Sequence, residues 1–160
     1  MRVLAEGSAD RTVLLFGSDT DPGPDLTWAR GITLLSVSAT GAPADIASPV
    51  GVVGYGAAGI DALTFAAQHA GGVDRLVLVS TPIPEDETSL PFALSHITAK
   101  TLLLFGAKDP HTGSRHGTWW QKHLPDARLE MAPQGGHELL VPLWKRVLSH
   151  VAPRSKRTPT

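Results

Sequence analysis

Two residues that could work together on a proton lie in the second half of the chain. Asp109 stands next to last in the stretch L-L-L-F-G-A-K-D-P at 102–110, and His137 closes P-Q-G-G-H at 133–137. A carboxylate beside an imidazole fixes its tautomer and stabilises the imidazolium, so the pair can take a proton from an alcohol or a water. Each residue also has a plainer reading. Asp109-Pro110 is an ordinary turn pair after an apolar run, and His137 stands ahead of a helical pattern. Ser18 and Ser80 both end apolar runs and would offer hydroxyls, although serines there more often cap or turn. His111, His116 and His123 lie close in sequence but lack a spacing such as H-E-x-x-H, so neither a metal nor another cofactor is expected. Trp119, Trp120 and Trp144 read as core or groove lining, and the acidic run at 85–87 reads as a solvated loop.

The elements that must carry these residues follow from short apolar runs. Runs at 12–16, 32–36, 50–53, 75–79, 101–105 and 127–131 suit strands buried on both faces. Between them, helices are expected at 25–30, 57–69, 114–123 and 142–151, with at most one turn at 44–47. Three prolines and the acidic run make 80–98 mostly loop. Strands alternating with helices imply an α/β fold, a parallel sheet with helices on both faces and ligands at the carboxyl ends of the strands. Residues 1–152 read as one domain and 153–160 as a mobile basic tail.

Between the third strand and its helix stands Gly54-Tyr55-Gly56-Ala57-Ala58-Gly59. This turn resembles the nucleophile elbow of the α/β-hydrolase superfamily, usually G-x-S-x-G. Three further stretches support the resemblance. Leu14-Leu15-Phe16-Gly17-Ser18 resembles the oxyanion strand and loop, with Phe16 in place of the usual histidine. The 102–110 stretch resembles the loop of the triad acid, and 133–137 that of the triad histidine. The order elbow, acid, histidine is that of the family.

The resemblance implies a three-layer sandwich with a mostly parallel sheet of about six strands. It puts Gly56 at the nucleophile position, Asp109 and His137 in the triad, and the backbone N–H groups of Ser18 and Ala57 in the oxyanion hole. Glycine has no hydroxyl to offer. In a serine hydrolase, losing the nucleophile costs roughly 10⁶ in turnover, and about 10³–10⁴ over water can remain. By analogy with superfamily members that bind rather than catalyse, the expectation is a binding module for a small acyl or ester-like ligand or a protein. The alternative is an active enzyme using Asp109–His137 as general base. Residues 80–100 are too few for the family's usual cap, and amino-terminal strands missing or reduced to 2–5 would leave 32–36 near a sheet edge, a pairing surface for a homodimer.

Composition excludes several other classes. The formal net charge of -1 gives no general attraction to nucleic acid or anionic membrane. The absence of cysteine removes disulfides and thiolate metal sites. No apolar run approaches the roughly 20 residues of a membrane span, so the default expectation is a cytoplasmic protein.

Overall fold

In the computed structural model, which describes residues 1–157 except 9, 44–47, 87 and 89, the strands sort their side chains by alternation. Along β2 (Thr12–Phe16), Leu14 and Phe16 join one apolar cluster while Val13 and Leu15 join the other. In β4 (Val50–Tyr55), Val52 and Val53 divide the same way. So do Leu76 and Leu78 against Val77 and Val79 in β5 (Val73–Val79), and Leu103 and Phe105 against Leu102 and Leu104 in β6 (Lys100–Gly106). Successive side chains of a strand point to opposite faces, so strands apolar at every position need cover on both.

That cover comes from helices. Ala62, Leu63, Phe65 and Ala66 of α2 (Gly59–Gln68) and Trp120 of α3 (Gly113–His123) close one face. Trp144, Val147, Leu148 and Val151 of α4 (Trp144–Val151) close the other. Beside α4 lies α1 (Pro24–Arg30), joined to it by Trp144 Nε1 donating 2.8 Å to the buried Thr27 Oγ1. The result is three layers, as expected.

Among the described residues the sheet has seven strands, in the order β1-β3-β2-β4-β5-β6-β7. Beside the strands already given, it contains β1 (Arg2–Ala5), β3 (Thr33–Val37) and β7 (Ala127–Ala132). Only β1 runs antiparallel. The mostly parallel sheet of about six strands is thus present, with β1 as a seventh. One expectation is corrected. Residues 32–36 are not an edge, because β1 pairs with β3 from Arg2↔Ser36 to Ala5↔Leu34. The outer strands are β1 and β7.

Smaller differences lie at the ends of elements. Pro24 starts α1, its fixed φ suiting the first turn, and α4 begins at Trp144 rather than at 142. The turn expected at 44–47 lies outside the described residues. Arg157, in the tail expected to be mobile, donates its backbone N–H to Ala29 O at 2.8 Å and its Nε to Trp28 O at 2.9 Å, and lies 4.5 Å over the Trp28 ring. The link after β5 lies on α3. Trp120 Nε1 donates to Thr81 O at 2.9 Å, and Ile83 N donates to His116 Nδ1 at 2.7 Å. Further along, Leu94, Ile97 and Ala99 enter the core.

Candidate active site

Neighbouring parallel strands deliver their following turns to one end of the sheet. Gly17 follows β2, Gly56 follows β4, Ser80 follows β5, and the Asp109 and His137 loops follow β6 and β7. The close fit of the elbow depends on missing side chains. A β-carbon on Gly54 would stand 2.7 Å from Gly59 Cα and 2.8 Å from Ala62 Cβ, and one on Gly59 would stand 2.1 Å from Thr81 Oγ1. These two glycines let α2 cross close behind β4 and β5. Between them Gly56 has φ +60°, a conformation costly for other residues.

His137 faces that position. A β-carbon built on Gly56 would have one non-neighbouring heavy atom within 4 Å, His137 Nε2 at 3.9 Å. On its other side His137 Nδ1 lies 2.8 Å from Asp109 Oδ2. Asp109 is buried, and its second oxygen accepts from His111 N at 2.8 Å, while Thr112 Oγ1 donates to Oδ2 at 2.5 Å. Burial alone would raise this carboxyl. The bonds from Thr112, His111 and His137, with the charge His137 can carry, outweigh burial and hold it down to about 2. An ionised Asp109 only accepts, so Nδ1 carries a proton and donates, and Nε2 faces Gly56.

The structure thus brings Gly56, Asp109 and His137 together. The Ser18 turn also meets the elbow, since a β-carbon on Gly17 would stand 2.6 Å from Tyr55 O and 3.1 Å from Ala58 Cβ. Ser18 is no substitute hydroxyl. Its Oγ donates 3.0 Å to Thr20 O within its own turn, and its carbonyl accepts from Ser36 Oγ at 2.6 Å. Ala57 lies in the single 3₁₀ turn Gly56–Ala58 that leads into α2. The remaining histidines go separate ways. The His111 ring meets the His137 ring edge-on at 5.6 Å, His116 accepts from Ile83, and His123 stacks on Trp119. Among the described residues no group of three or more His, Asp or Glu could hold a metal ion. Nor is any helix there long and apolar enough to cross a membrane.

Three contributions were not evident from the residue pattern. Thr112 could have been found, because Asp109-Pro110-His111-Thr112 is the kind of stretch in which a carboxylate bonds its own following backbone. Ser80 is the one non-glycine residue with positive φ among the described residues, at +53°. It is fully buried, and its Oγ donates 2.9 Å to His137 O, so it holds the histidine loop rather than supplying a nucleophile. Tyr55 precedes Gly56 and tilts its ring toward His137 at 5.9 Å. Burial, with the Glu138 carboxylate nearby but short of a hydrogen bond, pushes its phenol up to about 12, so the buried Oη keeps its proton.

No family model matches the chain, and no curated protein matches its sequence. Solved structures match its shape. The chain is similar to the CarC enzyme, a serine hydrolase involved in carbazole degradation, at TM-score 0.67 and 12% identity over 93% of each chain. It is similar to the esterase Pf2001 of Pyrococcus furiosus at TM-score 0.64 and 14% identity, over 93% of this chain and 82% of that one. It is also similar to the mouse α/β-hydrolase domain-containing protein 10, at TM-score 0.66 and 12% identity over 91% and 90%. At such identities the likeness is one of fold, and the chain has the α/β-hydrolase fold.

Proposed function

We propose that this α/β-hydrolase-fold protein has lost the covalent serine mechanism and holds a small acyl or ester-like ligand in the space between Gly56 and His137. The observation that carries this reading is the direction of His137 Nε2. It points at the place where a nucleophile side chain would stand, and no side chain stands there. A ligand carbonyl or hydroxyl can occupy that place and accept or donate at Nε2, with the N–H groups of Ser18 and Ala57 as candidate donors to its oxygen.

A second reading has its own support. Asp109 keeps three hydrogen-bonding partners and a depressed carboxyl, an arrangement suited to stabilising an imidazolium. In that reading His137 acts as general base on a water placed over Gly56, without an acyl-enzyme. One pair of measurements separates the readings. Titration with short-chain carboxylates, followed through the His137 ring signals by NMR, reports binding; hydrolysis of short activated esters reports turnover. Saturable perturbation of His137 with background hydrolysis supports binding alone. Hydrolysis above background that disappears in His137→Ala supports the general base. Neither binding nor turnover would sink both.

A further inference from the structure

The opposite end of the sheet carries a cluster of cations that the candidate active site does not use. Alternation along three neighbouring strands puts Arg75 on the face of Val77 and Val79, Lys100 on the face of Leu102 and Leu104, and Arg128 on the face of Glu130 and Ala132. Register then aligns them, since Arg75 is paired with Lys100, and Leu102 with Arg128. All three belong to the face covered by α4, which adds Arg146. Together these residues line a cavity of about 210 Å³, with Ser149 and the buried His150.

The charges there do not cancel. Arg146 is held by Glu130, Nε to Oε1 at 2.8 Å and Nη2 to Oε2 at 2.5 Å, and Arg128 lies 3.7 Å from the same carboxylate. Beside Glu130, which holds two of the cations from outside the lining, Asp126 is the carboxylate that lines the cavity. Four cations therefore face two carboxylates, and two positive charges are left over. Among the described residues neither Arg75 nor Lys100 has a carboxylate within ion-pairing distance. Arg75 Nη1 reaches only the carbonyl of His150, at 3.4 Å, and His150 Nε2 donates 2.9 Å to Lys100 O. Convergence of the cations also shows at His150. Burial holds its imidazole below the usual value against the raising effect of its bond to Lys100 O, and the Arg75, Arg146 and Lys100 charges press it down further.

The geometry points to a second ligand site here, one that takes a dianionic phosphate monoester of a small molecule between Arg75, Lys100 and Arg128. A dianion matches the surplus of two positive charges. Guanidinium groups suit phosphate oxygens because their N–H donors are planar and paired. The cavity has room for a phosphate and a short organic group, and it lies roughly 20 Å from Gly56, about the length of a seven-residue strand.

The test is a thermal-shift and ³¹P NMR titration of the whole chain at fixed ionic strength, with inorganic phosphate, glycerol 3-phosphate and, as a monoanion control, acetate. Saturable binding of glycerol 3-phosphate is expected, with acetate inert. The variant Arg75→Gln/Lys100→Gln should bind about tenfold or more weakly, while His137→Ala binds as the parent does. Should the double variant fail to fold, the exposed Lys100→Gln alone carries the same comparison with a smaller loss. Absence of saturable binding, or equal binding by parent and variant, overturns the proposal. So does sedimentation with phosphatidic acid vesicles, but not phosphatidylcholine ones, without binding of the soluble monoester.

Discussion

His137 Nε2 stands 3.9 Å from the point a β-carbon on Gly56 would occupy. With Nδ1 committed to Asp109 at 2.8 Å, the imidazole is oriented at both ends, one by a carboxylate and one toward open space. An imidazole is therefore held beside a position that carries no side chain.

Restoring that group is the most direct check. A serine Oγ lies one C–O bond beyond the β-carbon, within hydrogen-bonding reach of Nε2, roughly 2.6–3.2 Å. Gly56→Ser is expected to raise hydrolysis of short activated esters above the parent's, with the gain lost in Gly56→Ser/His137→Ala. Because φ is +60° there, the serine should cost about 1–3 kcal/mol in chemical denaturation. A folded Gly56→Ser protein no more active than the parent would show that the oxyanion donors are not assembled.

Ser80 contributes a hydrogen bond and a strained backbone, and two variants separate them. Ser80→Ala loses the bond to His137 O and keeps the strain; Ser80→Gly loses the bond and relieves it. Glycine should therefore be more stable than alanine at this position by about 1 kcal/mol. Both should lower the hydrolysis gained by Gly56→Ser, since the histidine loop is loosened either way. Equal stability of the two variants would contradict the positive φ.

Asp109 gives the protein a dependence on acid. Its folded carboxyl is depressed from 3.8 to about 2. The stabilisation it brings is present above the unfolded value and is lost as pH falls through the folded one. Urea denaturation between pH 5 and pH 2 should show the parent losing roughly 2 kcal/mol that Asp109→Asn does not lose. Parallel curves for parent and variant would show that the carboxylate is not held as described.

His116 adds a second pH effect nearer neutrality. Burial first, and then the Arg115 charge, lower its imidazole below 6.5, while Asp109 pulls weakly the other way. The unfolded chain thus takes up this proton at higher pH than the folded one, so stability falls as pH drops below 6.5 toward the folded value. Protonation of Nδ1 also removes the acceptor for Ile83 N. The protection factor of the Ile83 amide, corrected for intrinsic exchange, should fall across that window in the parent. In His116→Ala it should be low at every pH. A flat, high protection factor in the parent would rule out this coupling.

Local pattern was enough for much of this protein. Apolar runs such as 12–16 and 101–105 marked the buried strands because a strand covered on both faces must be apolar at every position. The glycine spacing at 54–59, with Asp109 and His137 after later strands, was enough to suggest the fold and to name the residues that meet. The tertiary structure alone decided what lies across strands. That β1 covers β3 depends on pairing between segments far apart in sequence, with too few residues in β1 to leave a pattern. Ser80 as the support of His137, and Arg75, Lys100 and Arg128 as one cavity wall, depend on register, which no single strand encodes. That Gly56 carries no side chain was plain in the sequence; that His137 faces it was settled by the pairing of β4 with β5, β5 with β6 and β6 with β7.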